Sequence, residues 1–108
     1  MDETKNATFG LTEKSLQLIR EEMSKYPEIE SVIIFGSRSM GNYKKGSDVD
    51  LALKGDELSW KIKSRLSARL NEELPLPWFF GLVIYDDIEN ENLKHHIDTE
   101  GKVLYRRE

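Results

Sequence analysis

The chain has 108 residues, which is the size of one compact domain. It contains no cysteine, so disulfides and thiolate metal sites are excluded. No apolar run approaches the ~20 residues of a membrane-spanning helix, and the N-terminus lacks the basic and then apolar order of a signal peptide. We therefore expect a cytoplasmic protein that does not bind a membrane.

The charge balance argues against a general nucleic-acid-binding protein. The 20 acidic and 16 basic residues give a net charge of −4, whereas affinity for nucleic acids comes largely from neutralising phosphates. A small anionic substrate remains compatible with this charge, because a local basic pocket can form in an acidic protein. A nucleotide-sensing or RNA-modifying domain is therefore the least favoured class of function.

The N-terminal part predicts a lead and one helix. Residues 1–10 are polar and are predicted to be flexible, followed by a single domain at 11–108. Thr12 is a suitable cap for a first helix, because apolar residues follow it at helical spacing. This helix should end near Pro27, since the residue before a proline resists helical geometry.

The remaining segments alternate between strands and helices. An apolar repeat after Asp56 predicts a long helix that this residue caps and that Pro75 ends. Predicted strands lie at 31–35, 48–53, 79–85 and 102–105, and a shorter helix lies at 88–98. This order indicates an α+β (α/β-like) fold, a small mixed sheet with helices packed against it. The pattern does not decide which strand pairs are parallel.

Asp48 and Asp50 form the most informative pair in the sequence. Side chains alternate faces along a strand, so both carboxylates project to the same side, with Cα atoms roughly 6.5–7 Å apart. Two like charges on one face repel each other and favour a bound cation. Mg²⁺ suits such a pair, since water and substrate phosphates complete its shell. We predict that both are catalytic residues and metal ligands; a solvated strand face is the alternative for such a pair taken alone.

A Gly-Ser turn follows the first strand directly. Glycine permits a tight turn and close approach of a ligand, while a serine hydroxyl and nearby backbone N–H groups can donate to phosphate oxygens. If the two strands are neighbours, a triphosphate lies between these donors and the metal, as phosphoryl-type transfer requires. The predicted nucleotide-binding residues are Gly36, Ser37, Arg38, Lys45 and Ser47.

The segment 35–53, FGSRSMGNYKKGSDVDLAL, resembles the signature of the DNA polymerase β-like nucleotidyltransferases, and more closely that of the minimal nucleotidyltransferase (MNT) group. The specific part is a Gly-Ser pair, ten intervening residues and Asp-x-Asp. The resemblance implies a polymerase β-like palm fold, a turn that contacts the triphosphate, and an aspartate pair that binds a pair of Mg²⁺ ions. It also implies transfer of a nucleoside monophosphate, AMP from ATP, with release of pyrophosphate.

The chain also resembles the antitoxin half of HEPN–MNT toxin–antitoxin pairs. That resemblance implies a small helical HEPN ribonuclease as the partner protein, with AMP attached to one of its tyrosines. A chain of this length has no room for a separate acceptor-binding domain, so the acceptor is expected to come from another protein. The sequence leaves the oligomeric state open, including a homo-oligomer.

One position departs from the family pattern. The pattern places a third carboxylate on the strand after the long helix, and the alignment puts Gly81 there. The next acids, Asp86 and Asp87, lie roughly 16–20 Å further along an extended strand. The alternative function is therefore a catalytically degenerate antitoxin that neutralises its partner by binding. A different alignment, an acid from a loop or an acid from the partner would instead retain catalysis.

Two further groups have ordinary structural interpretations. His95 and His96 would point about 100° apart on a helix, so we expect surface or partly buried structural residues rather than a metal site. The aromatic segment 78–80 is expected to pack in the core, with Trp78 the most exposed of its three residues.

Overall fold

A computed structural model describes residues 7–108. Over these residues the chain forms a four-stranded sheet, a short hairpin and four α-helices. A π-helical turn at Arg69–Glu73 extends the third helix, and a 3₁₀ turn at Tyr85–Asp87 follows the fifth strand. None of the helices in the described part is long and apolar enough to cross a membrane. The elements are β1 (Ala7–Thr8), β2 (Leu11–Thr12), α1 (Glu13–Met23), β3 (Ser31–Phe35), α2 (Ser37–Met40), β4 (Val49–Lys54), α3 (Trp60–Ala68), β5 (Phe80–Ile84), α4 (Glu91–Glu100) and β6 (Lys102–Arg106).

Most predicted elements are present, with shifts at their ends. The strand Ser31–Phe35 has the predicted bounds, and Thr12 caps α1 as predicted. The predicted cap of α3 was wrong. Ser59 caps this helix instead of Asp56, and its hydroxyl accepts the N–H of Ile62 at 3.4 Å. Serine and aspartate cap helices about equally well, and the chain is still turning at Asp56, so the later residue takes the role.

Residues 7–10 of the predicted flexible lead are part of an ordered hairpin. Residues 1–6 lie outside the described residues. Ala7–Thr8 pairs with Leu11–Thr12 in an antiparallel hairpin, and Leu11 is buried. Phe9 and Gly10 form its turn with φ of 60° and 76°. Regular structure is therefore already present at Ala7 and Thr8, before the predicted domain start.

The sheet has the strand order β5-β4-β3-β6. β3 pairs antiparallel with β4 and β6, while β4 pairs parallel with β5, so the sheet is mixed as predicted. The register places Phe35 of β3 opposite Asp50 of β4, and Asp50 opposite Gly81 of β5. Asp50 thus lies in the middle of three adjacent strands, at the end where β3 finishes and β4 begins.

The two faces of the sheet carry different apolar clusters. One face packs under α1 and α3 and contains the main core, with alternate strand residues such as Ile34 and Leu51. On the other face, Ile97 of α4 packs with Phe35 and Ala52. Asp50 shares this second face by strand alternation, so it lies beside a small apolar cluster rather than in open solvent.

The aromatic segment before β5 divides between core and surface. Phe80 is buried, and Trp78 is half-buried over the guanidinium of Arg38. Phe79 is the exposed member, with 61% of its surface accessible, so the prediction that Trp78 is the most exposed was wrong. Alternation explains the difference, because Phe79 points away from the side that Phe80 and Trp78 share.

A buried carboxylate ties α1 to the end of α3. Glu22 is 3% exposed, and one of its oxygens accepts from Arg69 at 3.0 Å and from Lys25 at 3.2 Å. The Tyr26 hydroxyl donates to the other oxygen at 3.2 Å. The hydrogen bond from Arg69 is the largest of the effects that lower the pKa of Glu22, against the opposing effect of burial.

Glu22→Gln is expected to lower the free energy of unfolding by about 1–3 kcal/mol at neutral pH, because it removes charge-assisted hydrogen bonds from a buried position. Since the folded-state pKa is lowered, this stabilisation is present above the ordinary carboxyl pKa and is lost as the pH falls through the folded-state value. Urea denaturation between neutral pH and about pH 2 measures the difference. The exposed neighbour provides the control variant Glu21→Gln. A difference that does not shrink in acid would contradict this account.

Candidate active site

The two predicted aspartates lie at the start of β4. Asp50 is the second residue of the strand and is half-buried, while Asp48 precedes the strand and is exposed. Alternation sends the Asp50 side chain towards the face that carries α4. Burial raises the pKa of Asp50, the negative charge of Asp48 raises it further, and His96 lowers it. The two carboxylates are therefore close enough to repel each other, and the pair is suited to attract a cation.

Gly36 lies directly against the Asp50 carboxylate. Its φ of 80° and ψ of −154° form a conformation that residues with a side chain rarely adopt. A Cβ at this position would lie 2.8 Å from Oδ2 of Asp50. Glycine is thus required for space as well as for backbone geometry, and the predicted turn and the predicted aspartate pair are adjacent.

Ser37 begins α2, a single helical turn that ends at Met40. The Gly36 carbonyl closes this turn, because it accepts the N–H groups of Ser39 and Met40, both at 3.2 Å, and the Ser39 hydroxyl at 3.0 Å. Ser37 is half-buried, so it remains partly accessible beside the aspartate pair.

Arg38 was predicted to bind the nucleotide, but the structure gives it other contacts. It is 2% exposed, and burial lowers the pKa of its guanidinium. The guanidinium stacks on the rings of Tyr43 and Trp78, 5.0 and 5.6 Å from their centroids. It also donates to the carbonyl oxygens of Phe9, Lys45 and Ser47. Arg38 therefore organises the loop between the turn and the aspartates from inside the protein.

The other two loop residues predicted to bind the nucleotide, Lys45 and Ser47, differ in exposure and in contacts. The side chain of Lys45 is exposed and accessible to an anion. Ser47 closes a tight turn with Lys44: its hydroxyl accepts the Lys44 N–H at 2.8 Å, and its own N–H donates to the Lys44 carbonyl at 3.0 Å. Ser47 is thus engaged in holding the loop.

Gly81 borders Asp50 on the side opposite to Gly36. The two residues are partners across the parallel strands, and a Cβ added at Gly81 would lie 3.3 Å from Oδ1 of Asp50. A side chain at this position would point towards Asp50, as expected for the third carboxylate that the resemblance implies. Asp86 and Asp87 lie in the exposed turn beyond the opposite end of β5, so they do not fill this place.

His96 is a residue of this region that the sequence did not assign to it. Its Nε2 accepts the Gly36 N–H at 2.9 Å, and its ring meets Phe35 edge-on, with centroids 6.0 Å apart. His95 is exposed, so the two rings diverge as expected. The helical spacing could have indicated this position, because His96 follows the apolar Leu93 by three residues and lies on the same sheet-facing side of α4.

The carboxylate pair suits a hard cation. Within residues 7–108, no three His, Asp or Glu side chains are grouped so that they could hold a metal ion. Two carboxylates, one of them desolvated and repelled by the other, fit Mg²⁺, which takes its remaining ligands from phosphate oxygens and water. Asp48 and Asp50 are the residues that would hold this ion.

Residues 17–108 match the family described as polymerase beta, nucleotidyltransferase. The match includes the Gly-Ser turn, the aspartate pair and Gly81. The chain therefore belongs to the polymerase beta nucleotidyltransferase family, and its enzyme class is that of the nucleotidyltransferases. Comparison with curated protein sequences gives no match.

Solved structures of similar fold include two toxin–antitoxin structures. A mutant of the toxin–antitoxin MntA–HpeT is 21% identical, with a TM-score of 0.64 over 87% of this chain and 74% of that chain. A toxin–antitoxin structure with AMP-PNP is 22% identical, with a TM-score of 0.62 over 91% of this chain and 76% of that chain. These similarities confirm the predicted α+β nucleotidyltransferase fold.

Arg38→Lys is expected to lower the free energy of unfolding by about 2–3 kcal/mol, because lysine cannot reproduce the branched hydrogen bonds or the flat stacking of the guanidinium. Urea denaturation measures the change. Lys44→Ala, in the exposed part of the same loop, is the control and should change stability by less than about 0.5 kcal/mol. An Arg38→Lys protein as stable as the wild type would contradict the structural role of this residue.

Proposed function

We propose that this chain is a Mg²⁺-dependent nucleotidyltransferase that transfers AMP from ATP to a hydroxyl group of a partner protein. The observation that carries the proposal is the position of Asp50 against Gly36, because a carboxylate suited to a cation lies against a turn suited to phosphates. Membership of the family supports the class of reaction. AMP-PNP in a toxin–antitoxin structure of similar fold supports ATP as the nucleotide.

The proposed reaction is an in-line displacement at the α-phosphorus of the nucleotide. The acceptor oxygen forms a bond to this phosphorus, the bond from phosphorus to the α,β-bridging oxygen breaks, pyrophosphate leaves, and the hydroxyl proton is released. Bound Mg²⁺ supplies positive charge that neutralises the triphosphate and the leaving pyrophosphate.

The residues of the chain act by binding and orientation. Asp48 and Asp50 would hold the metal ion, and the missing side chain of Gly36 would let the phosphates approach the backbone. The Ser37 hydroxyl donates to a phosphate oxygen, and Lys45 adds positive charge from the loop. Fixing the nucleotide in one orientation accelerates the transfer because less orientational freedom is lost in the transition state.

We also propose that the chain is the antitoxin half of a toxin–antitoxin pair and that its acceptor is a small helical HEPN-type protein. Two structures of similar fold are toxin–antitoxin structures, which supports this role. In one of them, two aspartates two positions apart are replaced by glutamates, and Asp48 and Asp50 have the same spacing. The resemblance of segment 35–53 to the MNT group gives further support.

Calorimetry with Mg²⁺ and α,β-methylene ATP tests the nucleotide site, since this analogue cannot break at the bond in question. The wild type is expected to bind, and Asp48→Asn and Asp50→Asn should each lose at least about tenfold in affinity, because each removes a charged metal ligand. Asp86→Asn, an exposed carboxylate beyond the site, is the control. Absence of binding by the wild type would overturn the proposed function.

The stability of the Asp50→Asn protein, measured without metal, is the folding control for this experiment. The substitution removes a desolvated charge that Asp48 repels, so the variant should be more stable than the wild type at neutral pH. Because the pKa of Asp50 is raised, this difference is present where Asp50 is ionised and disappears as the pH falls below the ordinary carboxyl value. Loss of nucleotide binding in a more stable protein then cannot come from unfolding.

A second function is favoured by the glycine at position 81. No carboxylate stands there to complete the metal site or to accept the proton of the acceptor hydroxyl. A chain with this site would bind nucleotide but turn over slowly or not at all, and it would neutralise its partner by forming a complex. This candidate is a catalytically degenerate antitoxin.

Gly81→Asp distinguishes the two candidates in a transfer assay with ATP labelled at the α-phosphorus and the partner protein as acceptor. If the missing acid limits turnover, Gly81→Asp should raise the rate by at least about tenfold, and Gly81→Asn, of the same size, should not. Labelling by the wild type that Asp48→Asn abolishes supports the enzyme. Neutralisation of the partner that survives Asp48→Asn supports the binding-only antitoxin. Equal gains for Gly81→Asp and Gly81→Asn would contradict the role given to the carboxylate.

A further inference from the structure

The turn beside Asp50 is fixed through both polar groups of Gly36. Its carbonyl accepts hydrogen bonds from α2, as described above, and its N–H donates to Nε2 of His96 at 2.9 Å. Glycine has more backbone conformations available than any other residue, so contacts rather than a side chain must hold this one. The His96 acceptor is the contact that comes from outside the turn and from a different element.

The position of the His96 ring is set by the packing of α4. The helix begins at the cap residue Asn90, whose side chain accepts the Leu93 N–H at 3.1 Å. Ile97, the residue after His96, is 3% exposed and belongs to the apolar cluster on this face of the sheet. The imidazole itself meets Phe35 at an interplanar angle of 76°. These contacts deliver the acceptor nitrogen to the turn with little freedom.

We propose that His96 is a positioning residue of the nucleotide site, which holds the Gly36–Ser37 turn against Asp50 in the conformation that receives the phosphates. The inference rests on the proposed function, because it concerns the same site. It assigns His96 no contact with the nucleotide and no part in proton transfer.

The hydrogen bond determines the chemical form of the ring. A nitrogen that accepts an N–H carries no proton, so in the neutral imidazole of His96 the proton lies on Nδ1. A neutral imidazole has one acceptor nitrogen, and here the Gly36 N–H uses it. His96 is therefore not a metal ligand in this arrangement. Its role needs an acceptor at one point in space, which a glutamine Oε1 can also provide.

The turn lies between His96 and Asp50. The Gly36 N–H meets the imidazole of His96, and Oδ2 of Asp50 lies against Gly36. Imidazole, turn and carboxylate are thus contiguous. A shift of the turn would change the distance between the phosphate donors and the metal-binding carboxylate.

Calorimetry with Mg²⁺ and α,β-methylene ATP tests the proposal on three variants. His96→Leu, which keeps an apolar side chain on Phe35 but removes the acceptor, should lose about tenfold in affinity. His96→Gln, which restores an acceptor, should stay within about threefold of the wild type. The adjacent exposed residue gives the matched control, and His95→Leu should bind as the wild type does. A folded His96→Leu protein with wild-type affinity would overturn the proposal, as would a His96→Gln protein no better than His96→Leu.

A measurement without nucleotide separates this proposal from the proposed function. In the ¹⁵N-labelled protein, scalar coupling across the N–H···N bond should connect the Gly36 amide to Nε2 of His96, and its absence would overturn the positioning role. If the coupling is present but the wild type binds no nucleotide, the proposed function fails and the role in nucleotide binding fails with it. Wild-type binding that His96→Leu leaves unchanged overturns the positioning role alone.

Discussion

The site depends on a single carboxylate held between two glycines. Strand pairing fixes Asp50 between β3 and β5, where Gly36 lies against one of its oxygens and Gly81 near the other. The carboxylate is partly removed from water and repelled by Asp48, both of which are unfavourable for an ionised group. The apolar clusters on both faces of the sheet stabilise the strands that impose this position. The fold thus maintains a local charge conflict that a bound cation would relieve.

The loop between the turn and the aspartates uses its arginine for structure. Arg38 is enclosed by Tyr43, Trp78 and three backbone carbonyls, so its charge organises the chain instead of facing the site. In the proposed nucleotide complex, the positive charge that a triphosphate needs would then come mainly from metal ions, with Lys45 as the exposed cation of the predicted set. The proposed site would thus depend more on metal than the number of basic residues in the loop suggests.

The sequence predicted the elements that local patterns determine. Ser31–Phe35 was identified by its β-branched run, and the strand that carries Asp50 was identified by its alternation of polar and apolar residues. The adjacency of the turn and the aspartates came from the resemblance of segment 35–53, because neither the pairing of β3 with β4 nor its register is contained in either segment alone. The cap of α3 was missed, since two residues with equal capping ability compete there.

Two of the contacts that were not predicted join distant parts of the chain. Arg38 reaches Phe9 in the N-terminal hairpin, and His96 reaches Gly36 across sixty positions. Basic residues in polar loops are usually exposed to solvent, and so are histidines on amphipathic helices. The actual places of Arg38 and His96 depend on helix rotation and on how the hairpin lies over the loop, which no local pattern specifies.

The absence of a side chain at Gly81 also affects how proteins with this fold can diverge. A single base substitution converts any glycine codon into one for aspartate or glutamate. Residue 81 lies on an edge strand beside Oδ1 of Asp50, and its backbone does not require positive φ. An acid can therefore be gained or lost at this point without a change of strand register. Under the proposed function, lineages built on this scaffold would move between holding a nucleotide and consuming it by one genetic step.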